Sequence, residues 1–276
     1  MKKLLSSLLV AVMAIGLFTG CGKEEAEDKT TEATGNETAK VTFTVGFDAE
    51  FPPYGYRDEN GEYVGFDLDL AAEVCKRNDW ELVKQPIDWD AKDMELSSGA
   101  IDCIWNGFTI NTREDQYTWS QPYVDNSQVV VVASDSGINS KSDLAGKVVA
   151  VQKDSSALAA LNDEENKENI ALRDSFKELI EYADYNTAFM DLEQGAVEAV
   201  AIDIGVAQYQ IEKREAGAFV MLDEKLATEQ YGVGFKLGNE ELRDTVQKTI
   251  DEMVEDGTFM KIAEKWGLTD SVCLGK

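Results

Sequence analysis

Short, strand-like apolar runs alternate along the chain with segments whose apolar residues recur every three or four positions. Strands are predicted at residues 41–47, 101–105, 128–132, 147–151, 197–202 and 231–235. Helices are predicted around Phe66, Leu70 and Val74, which share one helical face, and along the stripe from Leu242 to Met253, which Gly257 ends. This alternation predicts an α/β fold with largely parallel sheets.

The N-terminus has the pattern of an export signal. Lys2 and Lys3 precede an apolar run at residues 4–18, which is shorter than the roughly 20 residues of a membrane-spanning helix. Residues 17–21, Leu-Phe-Thr-Gly-Cys, resemble the lipobox of bacterial lipoproteins, whose cysteine is diacylated. We therefore expect a signal peptide at residues 1–20 and a lipid anchor on Cys21. An ordinary secretory signal with an incidental cysteine stays open as the alternative.

The segment after the predicted anchor has nothing to bury. Residues 22–40 read GKEEAEDKTTEATGNETAK and contain no apolar residue larger than alanine. Together with Cys21 they are predicted to form a disordered acidic tether over residues 21–40. A flexible chain of this length spans roughly 25 Å. The folded part would then swivel above the extracytoplasmic face of the cell membrane.

The composition excludes several classes of function. The chain contains no histidine, which rules out Ser-His-Asp catalysis, Cys-His catalysis and histidine-bearing zinc sites. Its net charge of −27 repels phosphate backbones, so we expect no nucleic acid partner. The four cysteines form no Cys-x-x-Cys pair, and Cys75 and Cys103 fall on apolar segments. We expect both to be small buried hydrophobic residues and predict no disulfide, no metal and no cofactor.

A series of motifs resembles, in the same order, the extracellular solute-binding proteins, family 3, of polar amino acid ABC transporters. The blocks lie at residues 45–54, 64–70, 87–89, 96–102, 109–113, 118–123, 144–152 and 256–266. The resemblance implies a two-lobe periplasmic-binding-protein-like fold of type II, with the ligand in a cleft between lobes that two hinge segments join. It divides the folded chain into lobe 1, at residues 41–124 and 230–276, and lobe 2, at residues 125–229.

A free amino acid carries a carboxylate and an ammonium, so its site has to supply both donors and acceptors. Arg113 follows a predicted strand, and its planar guanidinium can donate two parallel hydrogen bonds to a carboxylate. The resemblance adds the hydroxyl and N–H of Thr109, and those of Ser156 at the start of a helix in lobe 2. A solvated surface position for Arg113 and helix capping by Ser156 are the simpler alternatives.

Asp203 is the candidate partner of the ligand ammonium. It ends the apolar run at residues 197–202, where a buried carboxylate is costly without a cation. The resemblance adds the backbone carbonyl of Gly107 as a second acceptor, and a helix N-cap is the alternative role for Asp203. Asp154 stands where the family usually has glycine. We expect the Asp154 side chain to point to solvent, away from the ligand carboxylate.

Three further residues are assigned to the ligand side chain by the resemblance. Phe51 and Trp89 match the family positions whose rings sandwich that side chain, although isolated aromatic residues more often belong to a core. Asp48 would lie near its tip. With Glu50 close by, Asp48 favours a polar or cationic amino acid. Glutamine, glutamate, cystine, arginine, lysine and histidine all stay open.

The resemblance implies a receptor and not an enzyme. The expected function is the substrate-binding component of an ABC importer, which captures a free amino acid by lobe closure and delivers it to a permease with its ATPase. The expected protein is a monomer, anchored to the membrane by its N-terminal lipid. Two alternatives use the same fold: an enzyme similar to the cyclohexadienyl dehydratases, and the ligand-sensing module of a signalling receptor.

Overall fold

Strands and helices are interspersed along residues 40–275, the part of the chain that the computed structural model describes. The predicted signal peptide, Cys21 and all of the predicted tether except Lys40 lie outside the described residues. This arrangement arises because apolar runs with period two form strands, and apolar stripes at three- and four-residue steps form the helices that cover them. The α/β class predicted from the sequence is confirmed.

Most strands belong to one mixed sheet. In chain order the described strands are β1 (Thr42–Phe47), β2 (Glu50–Phe51), β3 (Gly55–Arg57), β4 (Tyr63–Val64), β5 (Glu81–Pro86), β6 (Cys103–Thr109), β7 (Tyr117–Trp119), β8 (Val124–Ala133), β9 (Val148–Gln152), β10 (Glu178–Tyr182), β11 (Ala199–Asp203), β12 (Phe219–Met221) and β13 (Ala227–Lys236). The large sheet has the spatial order β10-β9-β11-β8-β13-β6-β1-β5, with β12 beside β8 and β7 beside β13. Strands β2, β3 and β4 form a small separate sheet.

The direction of the strands changes at the centre of the large sheet. On one side β1 runs parallel to β5 and β6, and on the other side β9 runs parallel to β10 and β11. The two long central strands, β8 and β13, run antiparallel to each other and to their outer neighbours. The prediction of largely parallel sheets therefore holds for the outer strands and fails at the centre, because the chain passes through the centre twice in opposite directions.

The helices pack against the outer strands. They are α1 (Phe66–Asn78), α2 (Lys92–Ser98), α3 (Ser156–Asn162), α4 (Lys167–Ser175), α5 (Tyr185–Glu193), α6 (Ile204–Glu212), α7 (Glu240–Glu255) and α8 (Thr258–Lys265), with single 3₁₀ turns at Trp89–Ala91 and Lys141–Leu144. The stripe predicted for α1 is fully buried, and Gly257, with φ of 77°, separates α7 from α8 as expected. Within residues 40–275 no helix has the length and apolarity needed to cross a bilayer.

The resemblance places the two segments that connect the lobes near residues 124–127 and 228–230, and these segments lie side by side. Ser127, Asn126 and Asp125 of β8 pair with Thr228, Glu229 and Gln230 of β13. The large sheet thus continues through this paired crossing from the β1 side to the β9 side. Cys75 and Cys103 are buried, as predicted. The lobe boundaries stay a prediction.

Candidate ligand-binding cleft

The predicted site residues collect where parallel strands end. Asp48 directly follows β1, Thr109 is the last residue of β6, Ser156 follows β9 after a short loop, and Asp203 is the last residue of β11. The carboxyl ends of strands in an α/β sheet are where ligands usually bind, because the loops that leave them open a crevice between the elements. The structure places these residues on both sides of the central crossing.

Arg113 and Ser156 meet across the two predicted lobes. Nη1 of Arg113 donates to Oγ of Ser156 at 3.0 Å and to the carbonyl of Thr109 at 3.4 Å. Nη2 donates to the carbonyl of Asp154 at 3.4 Å, and the guanidinium lies 5.4 Å from the centre of the Phe108 ring. Arg113 is 8% exposed, so a solvated surface position is excluded. Its bonds all go to uncharged oxygens, which leaves its positive charge for a carboxylate.

Two neighbouring serines at the start of α3 make different contacts. Ser155 is the N-cap of α3, and its hydroxyl oxygen accepts a hydrogen bond of 3.2 Å from the N–H of Leu158. Ser156 is the first residue of the helix, and its hydroxyl faces Arg113. Capping is therefore done by Ser155, and Ser156 remains available to a ligand held by Arg113.

Asp203 lies at the opposite end of this group of residues. It is buried, and its Oδ1 accepts hydrogen bonds from Gln128 Nε2 at 2.7 Å, Asn126 Nδ2 at 2.8 Å and the Tyr231 hydroxyl at 2.5 Å. Asp203 is the N-cap residue of α6, yet its side chain makes no capping hydrogen bond, so its carboxylate does not have the capping role of the alternative. Burial, with a smaller contribution from the charge of Glu229, raises the pKa of Asp203 to about 7.

Glu229 is the main residue that the sequence interpretation missed. It is buried in β13, and its Oε1 accepts from Thr109 Oγ1 at 2.8 Å and from Asn126 Nδ2 and Gln128 Nε2, each at 2.7 Å. The hydroxyl predicted for the ligand carboxylate, that of Thr109, therefore donates to a protein carboxylate instead. The sequence did indicate the burial of Glu229, because this residue precedes the buried Tyr231, Val233 and Phe235 at the two-residue steps of a strand.

Asp48 also bridges the predicted lobes. Its Oδ2 accepts from Gln152 Nε2 at 2.6 Å, and its Oδ1 accepts from the N–H of Glu50 at 2.8 Å. Burial raises the pKa of Asp48 to about 6 because no cation compensates the desolvation of its carboxylate, and the charges of Asp184 and Glu50 act in the same direction. The region around Asp48 is therefore negative.

The two predicted aromatic residues have different ring partners. Phe51 is buried, with ring centres 5.9 Å from Tyr54 and 6.1 Å from Tyr185. Trp89 is half-buried and packs edge-on against Phe108 at 5.5 Å. Trp89 thus packs on the ring that also lies near Arg113, whereas Phe51 packs on Tyr54 and Tyr185.

Gly107 is required by the close packing of rings around it. Its φ is 56°, and a Cβ at this position would lie 2.9 Å from Phe51 Cε1 and 3.0 Å from Tyr231 Cε2. Its N–H donates to the buried Asp67 at 2.6 Å. Glycine here lets the rings of Phe51 and Tyr231 approach the backbone of β6.

Comparison with known proteins identifies the family. Residues 43–269 match the model of the bacterial extracellular solute-binding proteins, family 3. The chain belongs to this family.

Relatives of this solute-binding protein span nearly its whole length. The L-cystine-binding protein TcyJ of Escherichia coli (strain K12) is 29% identical over 262 residues, 94% of each chain. The arginine-binding extracellular protein ArtP of Bacillus subtilis (strain 168) is 28% identical over 96% of this chain and 98% of ArtP. An ABC uptake transporter substrate binding protein from Streptococcus pneumoniae, solved with bound histidine, superposes with a TM-score of 0.79 at 33% identity, over 84% of this chain and 94% of that one. The fold is the two-lobe α/β fold of these binding proteins.

Ion pairs join the two predicted lobes of this solute-binding protein beside Arg113. The ammonium of Lys92 pairs with Asp154, and that of Lys153 pairs with Asp90 at 2.5 Å. The side chain of Asp154 is 50% exposed, in agreement with the prediction that it points to solvent, but its carboxylate also bonds a lysine that is only 2% exposed. We call these four residues the clasp. Lys92 was missed because a lysine normally lies on the surface.

Cavities border the cleft on two sides. One of about 170 Å³ is lined by residues that include Ser156, Glu229 and Thr112. A larger groove of about 650 Å³ lies beside Glu50, Arg57 and Lys213. Because Arg113 and Asp203 are absent from the lining of the larger groove, its size alone does not make it the ligand site.

Proposed function

We propose that this protein is the substrate-binding component of an ABC importer that captures a free polar or charged L-amino acid. The observation that carries the proposal is the pairing of opposite chemistries in one cleft. Arg113 and Ser156 supply donors at one end, and Asp203 supplies a buried carboxylate at the other. A zwitterion needs this combination, because both of its charges lose hydration on binding.

The ligand class is supported by the charges around the cleft. Asp48, with the nearby charges of Glu50 and Asp184, makes the side-chain region negative. Phe51 and Trp89 supply aromatic surface, which accepts both methylenes and cations. Relatives that bind cystine, arginine and histidine agree with a polar or cationic ligand. Gly107 contributes its carbonyl to the ligand ammonium in this proposal.

Binding is proposed to favour lobe closure. Residues 41–124 and 230–276 form lobe 1 and residues 125–229 form lobe 2, so the Arg113–Ser156 and Asp48–Gln152 bonds both cross the cleft. A ligand that contacts both lobes stabilises the conformation in which these residues are close. The β8–β13 crossing is the element about which the lobes would move.

The cellular location and the partners of the receptor are inferred from its family and from the sequence around Cys21. The family is extracellular, and Cys21 is proposed to carry a lipid that holds a monomer on the membrane beside a permease and its ATPase. No catalytic step is part of the proposal, which agrees with relatives that are binding proteins. The dehydratase alternative is kept as an outcome of the test.

A thermal-shift screen tests the proposal. The protein is unfolded and refolded to remove any carried ligand, then heated with each of the common L-amino acids, cystine and ornithine. A ligand at roughly one hundred times its Kd stabilises the folded state by about 2.7 kcal/mol, so a binder raises the melting temperature. The matched controls are the amide and the N-acetyl derivative of the best ligand, which lack one charge each and are expected to give little shift.

Two results would contradict the proposal. One is the absence of a shift with every amino acid. The other is conversion of prephenate or arogenate to an aromatic product, which would replace the receptor with an enzyme on the same fold.

A further inference from the structure

Asp203 and Glu229 form a pair of like charges that is held by shared donors. Asn126 Nδ2 bonds both Asp203 Oδ1, at 2.8 Å, and Glu229 Oε1, at 2.7 Å. Gln128 Nε2 bonds the same two oxygens at 2.7 Å each. The remaining donors are the hydroxyls of Thr109 and Tyr231. All four donors are neutral, so hydrogen bonds hold the carboxylates together without compensating their charge.

Oxygens without a partner surround this pair. The amide oxygens of Asn126 and Gln128 are buried and have no hydrogen-bond partner among the described residues. The structure directs each amide nitrogen, and not the amide oxygen, at the two acids. The hydrogen bonds all reach one oxygen of each acid, Oδ1 of Asp203 and Oε1 of Glu229, which leaves Oδ2 and Oε2 as further acceptors. The missing partner is therefore a group with several N–H donors and a positive charge.

We propose that Glu229 is a second anionic residue of the ammonium site, and that ligand binding displaces a proton which the Asp203–Glu229 pair holds in the ligand-free protein. The inference rests on the proposed function for the identity of the cation, an α-ammonium group. It goes further by assigning Glu229, a residue of the crossing strand β13, to the site. An ammonium has three N–H bonds, enough to reach both carboxylates and an orphaned amide oxygen.

The proton balance follows from the number of charges. In the ligand-free protein one carboxyl O–H satisfies part of the pair, since two adjacent buried carboxylates resist ionising together. When the ammonium enters, that O–H bond breaks, the proton passes to water, and the ammonium donates in its place. Glu229 also borders the cavity of about 170 Å³.

The other groups that face the pair do not titrate near neutrality. Burial raises the pKa of Tyr231, Tyr54 and Tyr185, which sense the charges of Asp203 and Glu229, so these phenols stay protonated. Arg113 reaches the pair's neighbour Thr109 only through the backbone carbonyl. The pKa of Asp203 is about 7 before the ligand binds. Affinity is therefore expected to rise with pH through this value and to level off above it, because binding favours the ionised pair.

Calorimetry of Glu229→Gln tests the proposal, with L-arginine, L-cystine and L-histidine as probes. Heats measured in buffers of different ionisation enthalpy count the protons released. The wild-type protein is expected to release a fraction of a proton at neutral pH, and the variant to release less and to bind roughly ten- to hundredfold more weakly. Glu229→Asp should recover part of both effects. The matched control is Glu178→Gln on the exposed edge of β10, which should behave as wild type.

A second measurement keeps the inference separate from the proposed function. Infrared titration of the ligand-free protein follows protonated carboxyl groups directly, and Asp203 should titrate at lower pH in Glu229→Gln than in the wild type, because its pKa, which burial raises most, loses the smaller contribution from the charge of Glu229. Unchanged proton release, or identical infrared titrations, would overturn the inference even where an amino acid binds. Failure of every probe to bind would contradict the proposed function, while the infrared comparison would still decide whether the pair holds a proton.

Discussion

The two ends of the cleft are built on opposite principles. At the Arg113 end, oppositely charged or polar groups of the two lobes already bond each other: Arg113 with Ser156, Lys92 with Asp154, and Lys153 with Asp90. At the Asp203 end, two carboxylates lie together among neutral donors. In the proposed mechanism the first end stabilises closure by itself, while the second is completed by the ammonium of the ligand. Substituting a residue that contacts the ligand should therefore lower affinity directly, whereas substituting a residue of the clasp should lower it by weakening lobe closure.

The largest effect is expected for Arg113→Ala. Removing the guanidinium leaves the ligand carboxylate buried with Ser156 as its remaining side-chain donor, so affinity should fall by roughly a thousandfold. The melting temperature of the ligand-free protein should change little, because the variant removes hydrogen bonds only to uncharged oxygens. Calorimetric titration with the best ligand of the screen checks the first expectation, and thermal unfolding checks the second.

The matched variant Arg113→Lys separates charge from shape. It keeps the positive charge and loses the planar fork, so its affinity should lie between those of wild type and Arg113→Ala. Tight binding by Arg113→Ala would show that the carboxylate is held elsewhere, and the contrast between the two ends of the cleft would then be wrong.

A smaller effect is expected for Asp154→Asn in the clasp. Lys92 would remain 2% exposed without a charged partner, which destabilises the closed conformation. Because Asp154 is itself half exposed, water moderates this loss, and affinity should fall about tenfold, mainly through faster dissociation. Stopped-flow measurement of ligand release checks it.

The double variant provides the control for the clasp. Lys92→Met removes the buried charge that Asp154→Asn leaves unpaired, so the two changes together should cost less than their sum. Strictly additive effects would show that Lys92 and Asp154 act independently, and that their contact does not hold the lobes closed.

How far the sequence predicts the fold depends on burial. Strands β1, β6, β8, β9, β11 and β13 were predicted, because each carries an apolar run. Strands β5 and β10 were missed, because they lie at the two edges of the large sheet and are only partly buried, so their sequences, ELVKQP and ELIEY, show no buried run. Edge strands owe their conformation to one neighbour's backbone and not to their own side chains.

Candidate site residues were predicted where the local sequence around a single residue was informative by itself. Arg113 lies four residues after the end of β6 and Asp203 is the last residue of β11, and both are buried. Glu229 and Lys92 were missed, because each is buried only through partners far along the chain, Thr109 and Asp154. The contact of the half-exposed Asp154 with the buried Lys92 was missed for the same reason. Period two marks the burial of Glu229, but the partners of these charged residues become predictable only once the pairing of elements is known.

The smallest effect is expected at the outer part of the clasp. Lys153 and Asp90 are 57% and 40% exposed, so water and salt screen their attraction, and Asp90→Asn should weaken ligand binding by about twofold or less. Raising the ionic strength should remove even this difference, whereas the effect of Asp154→Asn should persist, because salt does not reach a buried ammonium. Titrations at low and high salt on both variants check the distinction. Equal salt dependence of the two variants would show that salt screens the buried Lys92–Asp154 pair as strongly as the exposed Lys153–Asp90 pair. Burial would then not explain the larger effect of Asp154→Asn.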